Sequence, residues 1–207
     1  IGAIVGAFAV IWAARLGSGT FESWREQKIS ERQIDQAERI LTATYNARRS
    51  LSQVRNPLMR GNEHIAAEEK LKEDDLWPTS KGDKKRLTLT QAYLNRLNSA
   101  SLARVALQDC QPMARALFGP ELENAIETLG RQFHIIRIYV EANADEEVDK
   151  DQDFKRQIRE TLYEGVPSED RNTMDATIAA QVVRIEDICL PQLRAAGRKR
   201  RDAGPSV

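Results

Sequence analysis

The feature that most constrains the fold of this chain is residues 22–56, a long segment with neither glycine nor proline. Apolar residues recur along it, and just beyond it, at steps of three, four or multiples of these: Ile29, Ile40, Ala43, Ala47, Leu51, Val54 and Leu58. This spacing predicts a helix with one apolar side. The first breaker is Pro57, which disfavours helical backbone at Asn56. A single helix over 22–56 would be about 50 Å long.

The apolar stripe of this segment is broader than the stripe of an ordinary surface helix. Ile34, Ala37, Leu41 and Tyr45 lie beside the first set and widen it beyond about 100°. A stripe of this width is expected to contact more than one neighbouring helix. The alternative is an exposed coiled coil, which needs a strict heptad that the irregular spacing lacks. The pattern therefore favours the core of a helical bundle.

An apolar run precedes the long segment. Residues 1–14 carry no charge, and Arg15 closes the run, with Trp12 near its edge where an indole suits a membrane interface. As a helix these residues cover about 21 Å of a hydrocarbon core of about 30 Å. Because the printed chain begins with Ile1 rather than Met, we expect the full span to be longer. We interpret residues 1–16 as a membrane anchor.

Two other interpretations of the apolar run are a cleaved signal peptide and a buried core helix. A cleaved signal peptide carries positive charge before its apolar part, whereas here Arg15, Arg25 and Lys28 follow it. Apolar runs of this length also occur as buried core helices. Composition and flanking charge together favour the anchor.

The rest of the chain predicts further helices separated by breakers. Residues 17–20, Gly-Ser-Gly-Thr, predict a short interruption after the anchor, with Thr20 or Ser23 capping the long helix. A short helix is expected over 63–77 around Ile65, Leu71 and Leu76, then a loop over 77–83. The bundle helices are predicted at 22–56, 88–118 with a kink at Pro112, 120–142, and 154–194, where residues 165–168 break the chain and the last helix ends near Pro191.

These elements predict an all-α fold, in which an N-terminal transmembrane helix precedes an antiparallel bundle of about four helices. Residues 1–16 form the anchor, 17–194 the helical bundle domain, and 195–207 a basic disordered tail around Arg198 and Arg201. The predicted core includes Leu41, Leu51, Leu97, Leu107, Leu129, Phe133, Ile178 and Val182.

Composition and motifs predict no catalytic, cofactor or metal site. Lysine plus arginine and aspartate plus glutamate both number 31, so no net field favours nucleic acid. Cys110 and Cys189 lie in apolar helical patterns and are predicted to be small buried side chains rather than a disulfide. His64 among nearby glutamates lacks the additional His or Cys ligands of a zinc site. Acidic residues 149–153 resemble a calcium loop, but Phe154 stands where that loop needs glycine.

Several short motifs resemble a group of uncharacterised bacterial membrane-anchored helical proteins. The resemblance covers the long helix and the last one, and is carried by Trp24-Arg25-x-Gln27-Lys28, Ala37-Glu38-x-Ile40-Leu41, Tyr45-x-Ala47-Arg48, Arg55-x-Pro57 and Ile185-Glu186-Asp187-Ile188-Cys189-x-Pro191. It implies an N-terminal transmembrane segment and a helical cytoplasmic part, and it implies no activity.

Three hypotheses about function follow. The first is a membrane-tethered helical scaffold that binds a protein partner or its own copy, with lipid contacts through residues 1–16. The second is a membrane-bound sensor whose bundle binds a small ligand. The third is a hydrolase assembled only in the fold, which no motif favours. We expect no enzyme and no nucleic-acid partner. The basic residues after the apolar run predict a single-pass protein of the bacterial inner membrane with a cytoplasmic bundle.

Overall fold

The computed structural model describes the backbone of residues 2–145, 151–168 and 171–202, and side chains from residue 21 to residue 194 within those ranges, except residue 23. This part of the chain forms eight helices and no strand, which confirms the all-α prediction. The helices are α1 (Gly2–Arg55), α2 (Gly61–Glu73), α3 (Lys81–Ser99), α4 (Ser101–Gln108), α5 (Gln111–Phe118), α6 (Pro120–Ala142), α7 (Gln152–Leu162) and α8 (Thr173–Asp202).

Helices α1, α6 and α8 pack against one another and contribute most of the core. Two side-chain contacts fix the direction of α8 relative to α1. Arg55 at the end of α1 pairs with Asp175 at the start of α8, and Tyr45 donates to Glu186 at 2.8 Å. Moving back ten residues on α1 means moving forward eleven on α8, so the two helices are antiparallel, as the sequence predicted.

Helices α2 and α3 form a smaller antiparallel hairpin beside the end of α1. Glu63 near the start of α2 pairs with Arg96 near the end of α3. At the other end, Lys72 and Lys84 lie over the ring of Trp77, with the ammonium nitrogens 4.7 and 5.3 Å from the ring centroid. The loop between the helices is therefore closed by an indole between two cations.

Helix α1 differs from the prediction at its start. Its backbone is helical through residues 17–20, so these do not interrupt the helix and neither Thr20 nor Ser23 caps it. A glycine inside a helix costs only about 1 kcal/mol, which the flanking helical residues offset. The predicted anchor, 1–16, lies outside the residues whose side chains are described. Among the residues that were searched, no helix is both long enough and apolar enough to cross a bilayer.

The region predicted as one helix over 88–118 contains three. Helix α3 begins at Lys81, because Ser80 has extended backbone at the N-cap and Asp83 lies in the first turn, so the predicted loop over 77–83 is too long. The chain turns at Ala100 and again at Asp109–Cys110. Pro112 then lies in the first turn of α5, where a missing N–H costs nothing, rather than at a kink inside a helix.

Helix α6 matches its predicted span of 120–142, whereas the span 154–194 divides into α7 and α8. Asp151 caps α7 through bonds from the N–H groups of Asp153 and Phe154, so this acidic residue marks the start of a helix. Helix α8 continues through Pro191 to Asp202, so the prediction that it ends near Pro191 was wrong. The predicted disordered tail, 195–207, therefore begins with helical backbone, and 203–207 lie outside the described residues.

Seven of the eight predicted core residues are buried, and Leu97 is partly buried against the core. The buried apolar stripe of α1 is shorter than predicted at both ends, because Ile29 and Leu58 are exposed. Helix α2 also ends before Leu76, and it buries Leu71 but not Ile65. Each of these exposed residues is apolar and was predicted to be buried from its helical spacing, but no second helix in the described part of the chain covers it.

Candidate functional site

The last turn of α1 carries a fully buried arginine. Arg55 is 1% exposed, and its guanidinium forms an ion pair with Asp175. It also donates to backbone carbonyls at the end of α7: Nε to Thr161 at 2.8 Å, and Nη2 to Glu160 at 3.2 Å and Tyr163 at 3.1 Å. Carbonyls at a helix end lack partners within the helix. Arg55 therefore fixes the end of α1 to the end of α7 and the start of α8.

Asn172 completes this junction, which we call the Arg55 junction. Its Oδ1 accepts from Arg55 Nη2 at 3.1 Å and from the N–H of Asp175 at 3.0 Å, so it acts as the N-cap of α8. Its Nδ2 donates to the carbonyls of Glu160 and Val166, both at 2.7 Å. Asn172 is 1% exposed, and every polar group on it has a partner. Asn172 therefore has no free donor for a ligand, and the Arg55 junction holds the helices together.

A second arginine, Arg96, binds the main chain at the end of α1 and just after it. Arg96 binds the carboxylate of Glu63 with two bonds, Nε–Oε1 at 2.6 Å and Nη2–Oε2 at 3.0 Å. Its remaining N–H groups donate to the carbonyls of Val54, Asn56 and Leu58 at 3.3, 2.6 and 2.8 Å. These five bonds match the five donors of a guanidinium. The Arg96 guanidinium lowers the pKa of Glu63 to about 2.

A groove of about 490 Å³ lies over this second arginine, between α1, α2 and α3. Hydroxyl, amide and charged side chains form much of its lining, among them Ser50, Gln53, Asn62, Asn95 and Ser99. The volume falls in the range of small-molecule sites, but such sites are lined mainly by apolar side chains. Since the donors of Arg96 are already used, the groove offers a ligand amide and hydroxyl groups, and Arg60 is the cation of its lining that remains available.

The outer surface of α4 and α5 carries a run of exposed apolar side chains. Leu102 is 81% exposed, Val105 45% and Met113 36%. Ala106, Pro112 and Ala116 are exposed along the same helical spacing, because the turn at Asp109–Cys110 keeps nearly helical backbone angles. We call these six residues the α4–α5 strip. The exposed acid Asp109 lies at the same spacing, in the turn between the two helices, and a contiguous apolar patch of this kind can mark an interaction site.

A shallow depression of about 390 Å³ adjoins the strip, between α4 and the middle of α1. Ala106 belongs to both features, and the far side of the depression is formed by Asp35, Glu38, Arg39, Thr42 and Asn46. An apolar centre with a polar and charged margin is the usual anatomy of a protein–protein interface. The strip and the depression together are the candidate functional site.

Within the described residues the histidines and cysteines form neither a metal site nor a disulfide. His64 and His134 are exposed, and the described residues contain no group of His, Cys, Asp and Glu that is arranged to hold a metal. Cys110 and Cys189 are free and buried, as the apolar patterns around them predicted. Burial raises the pKa of both thiols, that of Cys189 to about 12.

No protein-family description, curated protein or solved structure matches this chain at a significant level. The resemblance to bacterial membrane-anchored helical proteins therefore stays a prediction from the quoted motifs.

Sequence reasoning missed Arg55 and Arg96 as structural centres, and it missed the α4–α5 strip. Arg96 stands in no quoted motif, and Arg55 stands only in Arg55-x-Pro57, which gives no sign of its contacts. The main-chain carbonyls that the two arginines bind are distant in sequence. One local signal was present: Asn172-Thr-Met-Asp175 places an N-cap amide three residues before an acid. The strip was hidden because the prediction of one long helix over 88–118 assigned Leu107 and its neighbours to a single buried stripe.

Proposed function

We propose that this protein is a membrane-tethered helical scaffold whose α4–α5 strip binds a protein partner or a second copy of the chain. Residues 1–16 are the tether, in a single pass through the bacterial inner membrane, and the bundle lies in the cytoplasm. The proposal includes no catalytic step and no cofactor.

The observation that carries this proposal is the exposure of the strip. Leu102, Val105 and Met113 present large apolar side chains to solvent on adjacent helices, whereas the inner side of the same helices is packed. Burying apolar surface contributes about 25 cal/mol per Å², so a partner that covers the strip gains the main driving force of association. The charged margin of the depression supplies the polar contacts that select a partner.

The test compares charge placed in the strip with charge placed elsewhere. Leu102→Asp with Val105→Asp is expected to abolish the association of the full-length chain with the partner captured from membrane extracts, or with itself in sedimentation. The matched control is Ile138→Asp with Val183→Asp, because these apolar residues are about half exposed, as Val105 is, but lie on α6 and α8. Association that survives the strip variant, or is lost equally in the control, would contradict the proposal.

The groove over Arg96 favours a second candidate, a sensor that binds a small ligand. Its volume of about 490 Å³ and its amide and hydroxyl lining would suit a small polar molecule. Thermal-shift measurements against a library of polar metabolites distinguish the two. A ligand whose stabilisation is lost in Asn95→Leu but kept in the α4–α5 strip variant would favour the sensor.

A further inference from the structure

The part of α1 that precedes the bundle carries an unusual combination of side chains. Every described side chain from residue 21 to residue 29 is exposed, and the first buried residue of the helix is Ala37. This portion therefore projects from the packed bundle. Two aromatic residues lie on it, Phe21 at 63% exposure and Trp24 at 54%, with ring centroids 6.0 Å apart.

The aromatic residues share their side of the helix with cations. At 3.6 residues per turn, positions 21, 24, 25, 28 and 32 fall within about 100° of one another. They carry, in order, Phe21, Trp24, Arg25, Lys28 and Arg32, which we call the aromatic–basic stripe. Glu22 and Glu26 lie roughly 100–140° from Phe21 around the same axis, on the flank.

The charges of the stripe are available to an external partner. Lys28 pairs with Glu31 at 2.7 Å, with both side chains about half exposed, and such a surface pair is weak and easily exchanged. Among the described residues, no acid forms an ion pair with Arg25 or Arg32. Exposed aromatic rings beside unpaired cations are the composition that binds the interface of a bilayer with negative headgroups.

The position of these residues along α1 also favours contact with lipid headgroups. If the apolar run ends near residue 16, Phe21 lies about 7 Å and Trp24 about 12 Å further along the helix axis. The headgroup layer extends some 5–8 Å beyond the hydrocarbon on each side. At a tilt of about 20°, the average for membrane helices, Phe21 lies within the headgroup layer, and Trp24 and Arg25 lie just beyond it, within reach of their long side chains. Lys28 and Arg32, about 18 and 24 Å along the axis, stand further out and act on the lipid charge across water.

We propose that the aromatic–basic stripe is a contact surface for anionic lipid, so that α1 leaves the membrane tilted towards this side. This inference rests on the proposed membrane tether for its orientation. The rings lie at the headgroups, Arg25 reaches the anionic lipid, and Lys28 and Arg32 add a weaker attraction at longer range. At roughly fivefold for a basic residue at the surface and less for the two further out, we expect the contact equilibrium to shift by about tenfold between neutral and anionic bilayers.

The experiment uses Trp24 as its own probe in the full-length chain. With Trp12→Phe and Trp77→Phe, Trp24 is the remaining tryptophan of the three in the sequence. The chain is reconstituted in vesicles of phosphatidylcholine alone, or with phosphatidylglycerol added, each containing brominated lipid. Quenching of Trp24 by bromine is expected to rise several-fold in the anionic vesicles and to fall again in high salt.

Two triple variants decide the cause. Arg25→Gln, Lys28→Gln and Arg32→Gln together are expected to reduce the quenching to the level seen in neutral vesicles. The matched control removes three exposed arginines of the bundle, with Arg131→Gln, Arg137→Gln and Arg156→Gln, and is expected to leave the quenching unchanged. Equal quenching in both lipids, or equal loss in both variants, would overturn the proposal.

The remaining outcomes are also decisive. If Trp24 is shielded from aqueous iodide in both lipids and is not quenched by bromine, a protein or a second copy covers the stripe, and lipid is excluded. Flotation of the chain with phosphatidylcholine vesicles reports the tether independently. A chain that floats without lipid contact at Trp24 retains the proposed tether and loses only this inference.

Discussion

At the scale of single residues, two arginines hold the end of α1 in place. Arg55 lies in the last turn of α1 and reaches out to α7 and α8, whereas Arg96 reaches from α3 to the carbonyls next to Arg55. Both use carbonyls that no helix satisfies, together with one carboxylate each, Asp175 and Glu63. An uncompensated buried charge is very costly, so each guanidinium and its acceptors depend on one another.

Replacing Arg55 by methionine removes the charge and keeps most of the volume. The Thr161 carbonyl would then lose its side-chain donor, and Asp175 would lose its cationic partner and keep only the N–H of Gly165. We expect Arg55→Met to lower the free energy of unfolding by about 3–5 kcal/mol, measured by urea denaturation. The control is Arg49→Met on the exposed side of the same helix, where a change within about 0.5 kcal/mol is expected. Similar effects of the two substitutions would contradict the structural role of Arg55.

Glu63 gives the bundle a pH dependence at its α2–α3 end. The Arg96 guanidinium lowers the pKa of this carboxyl to about 2 in the folded protein, and the unfolded value is near 4.5. Because the folded pKa is the lower one, the stabilisation is complete above about pH 4.5 and is lost as the pH falls towards 2. We expect Glu63→Gln to destabilise the protein by about 1–3 kcal/mol at pH 7, and by progressively less below pH 4.5.

The matched control for Glu63 is Glu73→Gln at the other end of α2. Glu73 forms an exposed pair with Lys70 at 3.1 Å, and an exposed pair contributes little. Its substitution should change stability by less than about 0.5 kcal/mol at any pH in this range. A difference between wild type and Glu63→Gln that does not shrink on acidification would show that the ion pair with Arg96 is not the source of the stabilisation.

At the scale of elements, prediction succeeded where burial is continuous along a helix. Helix α6 buries residues from Leu122 to Val140 on one side, and Gly119-Pro120 marks its start, so its boundaries followed from the sequence. Over α3–α5 the same apolar spacing runs across two turns, at Ala100 and at Asp109–Cys110. Those turns keep nearly helical backbone angles and contain no breaker, so periodicity could not detect them.

Substitution of two glycines by alanine is expected to change the stability of the protein in opposite directions. Gly130 lies inside α6, and a Cβ there would meet Leu107 Cδ2 at 3.9 Å, an ordinary contact. We expect Gly130→Ala to stabilise the protein by about 0.5–1 kcal/mol, because it removes backbone freedom from the unfolded chain. Gly119 has φ +90° between α5 and α6, where any side chain is strained, so Gly119→Ala should destabilise by about 1–3 kcal/mol. Thermal unfolding measures both, and a loss of stability in Gly130→Ala would mean that α6 is packed too tightly there for a methyl group.

At the scale of the whole molecule, the first buried residue in the described part of α1 is Ala37, about two-thirds of the way along that helix. The sequence predicted the bundle and most of its core, because apolar periodicity reports which side of each helix is buried. It did not predict the candidate site, since the exposure of Leu102 and Val105 depends on which helices lie nearby and not on local spacing. One end of α1 is clamped by Arg55 and Arg96, and the other projects with Phe21 and Trp24. A rigid helix of this kind fixes the distance between the bundle and whatever holds the residues before it.

For the proposed tether, the basic residues near the apolar run predict on which side of the membrane the bundle lies. Arg15, Arg25, Lys28 and Arg32 lie within about 20 residues of residues 1–14, the range over which Lys and Arg set orientation, whereas nearby glutamates contribute little. We therefore expect the bundle to be cytoplasmic. The measurement is maleimide labelling of Glu73→Cys, an exposed position on α2, in intact and in lysed cells.

An impermeant maleimide is expected to label Glu73→Cys only after lysis. The unsubstituted chain is the control, because burial raises the pKa of Cys189 to about 12 and that of Cys110 above its usual value. Both thiols are buried and so out of reach of the reagent, and a raised pKa also lowers the fraction of reactive thiolate, so both should stay unlabelled until the protein unfolds. Labelling of Glu73→Cys in intact cells would place the bundle outside. In that case a cytoplasmic partner could not reach the α4–α5 strip, and the groove over Arg96 would become the stronger candidate site.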